Sequence, residues 1–119
     1  MKQYAEGEGL EYECAHNGEE ALNFYKQSYD AESLYRFFII FMDINMPIMD
    51  GIEGTKKIRE FEKKVSAKVP IVGVTANFEA SIKKECKKSG MTSVQMKPFS
   101  YADFKDIISI YRSIKGNNN

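Results

Sequence analysis

The feature that most constrains this chain is the run Phe37-Phe38-Ile39-Ile40-Phe41-Met42, which ends on Asp43. Such an unbroken apolar run reads as a strand buried on both faces, which means the interior of a parallel sheet. A short loop follows, Ile44-Asn45-Met46-Pro47-Ile48-Met49-Asp50-Gly51, and a helix starts just after Gly51. Asp43 is therefore expected at the carboxyl end of a central strand, where open α/β sheets place their ligands. Two later strands repeat the arrangement with other chemistry. Ile71-Val72-Gly73-Val74 ends in Thr75, and Val94-Gln95-Met96 ends in Lys97-Pro98. If all three strands run parallel, an acid, a hydroxyl and an ammonium meet at one edge.

The rest of the pattern supplies the alternating helices. Residues 11–15 read as a short strand, and Asn17-Gly18 turns the chain into a helix with Ala21, Leu22, Tyr25 and Tyr29 on one face. Residues 30–36 either extend that helix or form a loop. The helix from Gly51 to about Val65 turns Thr55, Ile58 and Val65 inward, and Pro70 precedes the next strand, where a missing N–H is harmless. Residues 79–89 form a basic amphipathic helix with a narrow apolar side of Ala80, Ile82 and Cys86, stopped by Gly90. Ser100 caps the last helix, with Asp103 in the capping-box position and an inward stripe of Phe104, Ile107, Ile108 and Tyr111. Lys115-Gly116 ends it, leaving 117–119 as a disordered tail. Strands alternating with helices mean a parallel sheet with right-handed crossovers, and 119 residues suffice for one domain with a real core.

Charge narrows the function classes. Lys and Arg together number 17, as do Asp and Glu, so no net field draws nucleic acid or a membrane surface. The pairs Lys56-Lys57, Lys63-Lys64, Lys83-Lys84 and Lys87-Lys88 fall on polar helix faces mixed with Glu60, Glu62 and Glu85, which is the pattern of a solvated surface. Cys14 and Cys86 are too few for a disulfide framework and have no His or Cys partner at metal-ligand spacing. The 37–42 run is too short to span a bilayer, and a cytoplasmic location is expected. His16, alone in a turn, reads as a surface residue; Met46 and Met49 read as packing or partner contacts.

The motifs Met42-Asp43-Ile44-Asn45-Met46-Pro47-Ile48-Met49-Asp50-Gly51, Val74-Thr75-Ala76-Asn77 and Met96-Lys97-Pro98-Phe99 are specific in combination. In this order they resemble the receiver domain of two-component response regulators and hybrid histidine kinases. The helix opening Asn17-Gly18-Glu19-Glu20-Ala21-Leu22 fits as well, and the match runs from about Leu10 to the end of the last helix. The resemblance implies a flavodoxin-like, CheY-like α/β fold with strand order 2-1-3-4-5 and helices on both faces. It implies a phosphoacceptor in a phosphorelay, not an enzyme, which takes a phosphoryl group from a histidine kinase or histidine phosphotransfer protein and signals by conformational change. Asp43 would be the acceptor, although an aspartate at a strand end is by itself as well explained as a loop cap. Lys97, aimed by a cis bond to Pro98, would hold a phosphoryl oxygen. Thr75 would hydrogen-bond the phosphoryl group and move inward, with Ala76 leaving room beside it. Asn45 and Asn77 match the variable positions that tune hydrolysis. Magnesium would be held by Asp43 and the backbone carbonyl of Asn45.

Receivers begin with an apolar strand ending in two acidic residues, followed by a first helix. Nothing upstream of Leu10 reads as either, and no strand delivers Glu6 or Glu8. The chain is thus expected to be an N-terminally truncated receiver without its first strand, most of its first helix and its acidic pair. The strand at 11–15 would then re-pair with the Asp43 strand, or another chain would fill the gap, or the sequence is a fragment. Loss of the pair would weaken magnesium binding and phosphotransfer, which makes a pseudo-receiver, docking without phosphorylation, the alternative reading. A small α/β phosphohydrolase using Asp43 as nucleophile ranks third, because Asn45 stands where its second carboxylate belongs. Val94 replaces the aromatic residue that usually relays the signal, leaving Phe99 or Tyr101 to report it. The last strand and helix would form the surface for partner docking or homodimerisation.

Overall fold

The computed structural model describes residues 2–33 and 36–117. Its elements run α1 (Lys2–Gly7), α2 (Gly18–Gln27), β1 (Ile40–Asp43), α3 (Gly51–Val65), β2 (Ile71–Thr75), α4 (Ala80–Ser89), β3 (Ser93–Met96) and α5 (Tyr101–Asn117). Side chains in the loops start the helices. Asn17 Oδ1 accepts from the Glu20 amide at 2.9 Å, and Asp50 Oδ1 accepts from the Glu53 amide at 2.9 Å. Ser100 and Asp103 form the expected reciprocal box, Asp103 N donating to Ser100 Oγ at 3.1 Å and Ser100 N to Asp103 Oδ2 at 3.2 Å. Gly90, at φ 111°, closes α4 in the left-handed region.

The strands form a parallel sheet in the order β1-β2-β3, with Asp43 level with Val74 and Thr75 level with Met96. Central β2 is buried along its whole length. Helices cover both faces: Met42 packs in a cluster with Leu22, Tyr25, Ile58 and Cys86, while the adjacent Phe41 packs against Ala5, Phe104 and Ile108. Successive side chains of a strand point to opposite faces, so the two clusters lie on either side of the sheet. The apolar stripes expected on α2 and α5 both turn inward; Leu22, Tyr25, Phe104 and Ile108 are buried. α2 and α3 cross tightly, since a Cβ on Gly54 would lie 3.0 Å from Gly18 Cα.

One helix position overturns expectation. Glu62 lies on the inward face of α3, not on a solvated one, and is only 3% exposed. Its Oε2 accepts from Tyr25 Oη at 2.7 Å and from the Val69 amide at 2.6 Å, and its Oε1 accepts from Arg59 at 2.7 Å. Arg59 also donates to the carbonyls of Gly90 and Val69, at 2.9 and 2.7 Å. The network ties α2 and α3 to the turns that precede β2 and β3. Burial is tolerated because every oxygen of the carboxylate is partnered.

Four further expectations are corrected. Strand β1 occupies only Ile40–Asp43 of the apolar run, and of its residues only Met42 is buried. The reason is its place in the sheet: β1 is an edge strand, and burial on both faces needs neighbours on both flanks. Residues 11–15 form no strand and do not re-pair with β1; lying across a cleft from it, they have no ladder to join. Upstream of Leu10 the chain does form a helix, α1, which docks on α5: Ala5 is buried against Phe104 and Ile108, and Tyr4 Oη donates to the Phe99 carbonyl at 3.0 Å. At the other end α5 continues to Asn117, past the expected stop, and residues 118–119 of the expected tail lie outside the described residues, as do 34–35 of the 30–36 connection. Helix α2 ends at Gln27, so it does not extend through residues 30–33. Among the described residues no helix is long and apolar enough to cross a membrane.

Candidate functional site

Parallel pairing carries the carboxyl ends of all three strands to one edge, as the strand pattern predicts. The ladder continues one step past the strands: Ile44 N donates to the Val74 carbonyl at 3.1 Å and Lys97 N to the Thr75 carbonyl at 2.8 Å. Lys97 is thereby fixed beside Thr75, two strands from Asp43. Its side chain crosses that distance, and Nζ donates to Asp43 Oδ2 at 2.8 Å. The other carboxylate oxygen, Oδ1, accepts from the Asn45 amide at 2.9 Å. The two charged side chains are 44% and 39% exposed, so the pair is open to an incoming ligand. The Lys97–Pro98 bond is cis, as the resemblance implies.

Thr75 is placed on the neighbouring strand but faces differently. It is 1% exposed, and its hydroxyl accepts from the Asn77 amide at 3.0 Å and donates to the Asn77 carbonyl at 3.2 Å. Asp43, Asn45 and Lys97 are thus in direct contact, while the Thr75 hydroxyl is engaged within its own loop. Asn45 meets Asp43 through its amide, a contact that sequence reasoning did not foresee. The loop beyond Asn45 is tightly folded. Met49 N donates to the Pro47 carbonyl at 2.7 Å, closing a three-residue turn around Ile48 at φ 66°. Positive φ is rare for a β-branched residue, and this side chain is 84% exposed. Gly51 N donates back to the Ile44 carbonyl at 3.1 Å, so the loop closes directly onto the strand that carries Asp43.

Other candidates fall away. Glu6 accepts from Tyr12 at 2.7 Å, and Glu8, just past α1, accepts from Tyr101 of α5 at 2.6 Å, so both carboxylates are engaged there. Exposed His16 sits 3.1 Å from Glu20 at the start of α2. Met46 packs against the core. Among the described residues no group of three or more His, Cys, Asp or Glu is placed to hold a metal ion.

A three-layer parallel α/β domain with an acid–lysine pair across its strand ends defines the flavodoxin-like signalling class. Comparison with known proteins agrees. Residues 1–109 match the Response regulator receiver domain family. The chain is 36% identical over 108 residues to Hybrid signal transduction histidine kinase K of Dictyostelium discoideum, covering 86% of this chain and 8% of that protein. It is 37% identical over 104 residues to Sensor histidine kinase RcsC of Salmonella typhi, covering 86% of this chain and 10% of that protein. Among solved structures, the receiver domain of Ssk1, crystallised with the histidine phosphotransfer protein Ypd1 of Saccharomyces cerevisiae, superposes with a TM-score of 0.84 at 28% identity, covering 96% of this chain and 79% of that one. The receiver domain of sensor histidine kinase PA1611 of Pseudomonas aeruginosa PAO1, with magnesium coordinated in its active-site cleft, gives a TM-score of 0.76 at 25% identity, covering 92% of this chain and 83% of that one. The chain belongs to the response regulator receiver family, whose members accept phosphoryl groups in two-component signalling and generally bind magnesium at the site. It spans a tenth or less of the length of the two histidine kinases.

Proposed function

We propose that this domain accepts a phosphoryl group on Asp43 from a phosphohistidine of a histidine kinase or histidine phosphotransfer protein. The observation that carries the reading is the 2.8 Å contact of Lys97 Nζ with Asp43 Oδ2 at the ligand-binding edge of a parallel sheet. In the transfer an Asp43 carboxylate oxygen bonds to phosphorus as the phosphorus–nitrogen bond breaks. The electron pair leaves with the imidazole, and an acyl phosphate remains. Lys97 neutralises charge on a phosphoryl oxygen, trading one anionic partner for another. Thr75 contributes a hydrogen bond after its hydroxyl turns from Asn77 toward the phosphoryl group.

Magnesium fits the donors in type and falls short in number. Asp43 and the Asn45 carbonyl are hard oxygen ligands, but they bring one carboxylate, with water left to complete the octahedron. A bound magnesium ion would supply positive charge to the phosphoryl oxygens, and with this donor set its affinity would be weak.

The output side of the reading is the β3–α5 face, where Met96 and Ile110 are 51% and 56% exposed, available for partner docking or a homodimer. Half-buried Phe99, whose ring centroid lies 5.7 Å from that of Phe41, links the Lys97 loop to β1. Free thiols at Cys14 and Cys86 suit a reducing, cytoplasmic setting.

Incubation with acetyl phosphate and magnesium, read by intact mass, tests the acceptor. A phosphoryl adduct that Asp43→Asn abolishes is expected. A folded chain that forms no adduct, or an adduct that survives Asp43→Asn, would refute the proposal.

A further inference from the structure

Between α2 and α3 lies a surface depression of about 170 Å3. Its floor is apolar. Leu22 is buried, and the half-buried Phe61 ring is held edge-to-face by Tyr25 and Tyr29, at centroid distances of 5.9 and 5.8 Å. Its rim is charged. Lys57, Glu60 and Lys64 stand with Phe61 on one stripe of α3, at spacings of three and four residues. Lys26 comes from α2, its Nζ 5.8 Å from the centroid of the Phe61 ring. Three exposed ammoniums therefore share the rim with one carboxylate, Glu60; Lys57 also reaches Glu53, 3.9 Å away, in a weak exposed pair. The excess extends beyond the groove. Residues 51–90 hold ten Lys and Arg against five Asp and Glu, whereas the rest of the chain holds seven against twelve. A neutral total thus contains a positive stretch, and α3, which forms one side of the groove, opens it.

We propose that this groove docks an acidic segment of a partner polypeptide in extended form, two carboxylates flanking one apolar side chain. Sites for free cofactors and drug-sized molecules run about 300–1,000 Å3, so a depression of about 170 Å3 takes a single side chain of Leu size. Lys57 and Lys64 are seven residues apart on a helix, about 10 Å along its axis, and their four-carbon stems extend that reach. In an extended peptide residues i, i+2 and i+4 share one face over about 13 Å. The pattern Glu-x-Leu-x-Glu then lays its Leu on the floor of Leu22 and Phe61 and offers a carboxylate to each end of the lysine stripe, with Lys26 as the third ammonium. The groove lies in the helical layer opposite α5 and includes none of Asp43, Thr75 and Lys97. It is therefore separate from both the phosphoryl site and the β3–α5 face.

The test is NMR on the full chain at low salt, titrated with the capped peptide Glu-Ser-Leu-Ser-Glu. Shifts centred on Leu22, Lys26, Phe61 and Lys64 are expected, with Asp43 unmoved. Gln in place of both Glu residues of the peptide should weaken binding at least about fivefold. Ser in place of its Leu should weaken binding at least about tenfold. Lys57→Gln combined with Lys64→Gln, both on exposed side chains, should weaken binding about fivefold with an unchanged circular dichroism spectrum. Four outcomes would overturn the proposal. Leu22 and Phe61 could stay unmoved at millimolar peptide. Removing charge from either partner could leave binding unchanged. The peptide without Leu could bind equally well, which would make the face a plain polyanion surface. The same shifts could follow from raising protein concentration alone, which would make the occupant a second copy. The readout does not involve phosphoryl transfer, so it stands or falls apart from the acceptor chemistry.

Discussion

Replacing Glu62 by glutamine keeps the side-chain shape and changes only charge and hydrogen-bonding sense, which makes its cost calculable. The carboxylate receives three donors within 2.7 Å: Tyr25 Oη and Val69 N on one oxygen, Arg59 on the other. In Glu62→Gln one oxygen becomes an NH2, and a donor then faces a donor. Turned toward Val69 it would meet an amide that can only donate, so the lesser loss is to oppose Arg59, which keeps its bonds to the carbonyls of Gly90 and Val69. That forfeits one charge-assisted hydrogen bond, about 1.5–3 kcal/mol, and reduces the other two to neutral bonds, about 0.5–1 kcal/mol each. The sum, about 2.5–5 kcal/mol, overlaps the range for breaking a buried ionic contact. With a urea slope of about 1.5–2 kcal/mol per molar, the unfolding midpoint should fall by about 2 M. Tyr25→Phe removes one donor only and should cost about 1–2 kcal/mol. In the Glu62→Gln background its cost should shrink by at least about 0.5 kcal/mol, because the two share an oxygen. A Glu62→Gln protein within about 1 kcal/mol of the parent, or strict additivity with Tyr25→Phe, would refute the network as an energetic unit.

Ile48→Gly should stabilise the fold: relief of a positive-φ β-branched residue is worth about 1–3 kcal/mol, glycine's added chain entropy costs about 0.5–1, and little burial is lost; a lowered urea midpoint would contradict the turn geometry. Lys97→Ala should change stability by no more than about 1 kcal/mol, since the ion pair is half exposed, while adduct formation with acetyl phosphate drops at least about tenfold. A large stability loss with unchanged adduct yield would make the pair structural. The Tyr12 hydroxyl, donating to Glu6, has its pKa pushed up from 10.0 to about 12. A raised folded-state pKa means this contact stabilises the fold below pH 10 and its contribution fades as pH rises through about 12. Burial of Tyr25 and the Tyr101–Glu8 bond raise those two hydroxyls as well, so tyrosinate absorbance should show the late-titrating fraction reduced by one group in Tyr12→Phe, and titration of Tyr12 near its ordinary value would exclude the bond.

The strand ends were readable because each couples a local pattern to a chemical terminus: an apolar stretch, then Asp43, Thr75 or Lys97. The cap of α5 was readable for the same reason, since Ser100 and Asp103 act on amides three residues away. What escaped the sequence depends on partners distant along the chain. An apolar run reports a capacity for burial, not the presence of a second neighbour, so the open flank of β1 had no local signal and was expected only through the resemblance, from the missing first strand. Residues 11–15 carry strand composition, but a strand exists only with a ladder to join. Helix α1 is six residues long, too short to persist alone; contacts of Tyr4 and Ala5 with Phe99, Phe104 and Ile108 hold it. Glu62 did carry a signal, because it stands four residues after Ile58, on the inward row of α3. Its charge argued for the surface, and only the convergence of Tyr25, Arg59 and Val69 explains why it is inside.

On the proposed reading, the acid–lysine pair also sets the energetics of phosphoryl transfer. Lys97 already touches the carboxylate, so the ammonium stands where new negative charge will develop and needs little reorganisation. Releasing Oδ2 to attack phosphorus costs little, because an ion pair this exposed is worth about 1 kcal/mol or less. The difficulty lies in charge balance. A phosphoryl group adds about two negative charges at neutral pH to a site where one ammonium is in contact with the acceptor. A second positive charge must come from a cation, and the oxygen donors at hand are Asp43 and the Asn45 carbonyl. With a single carboxylate in that set, adduct yield should climb steadily with magnesium across the millimolar range. Saturation at micromolar magnesium would mean that another acidic group approaches Asp43 when the cation binds.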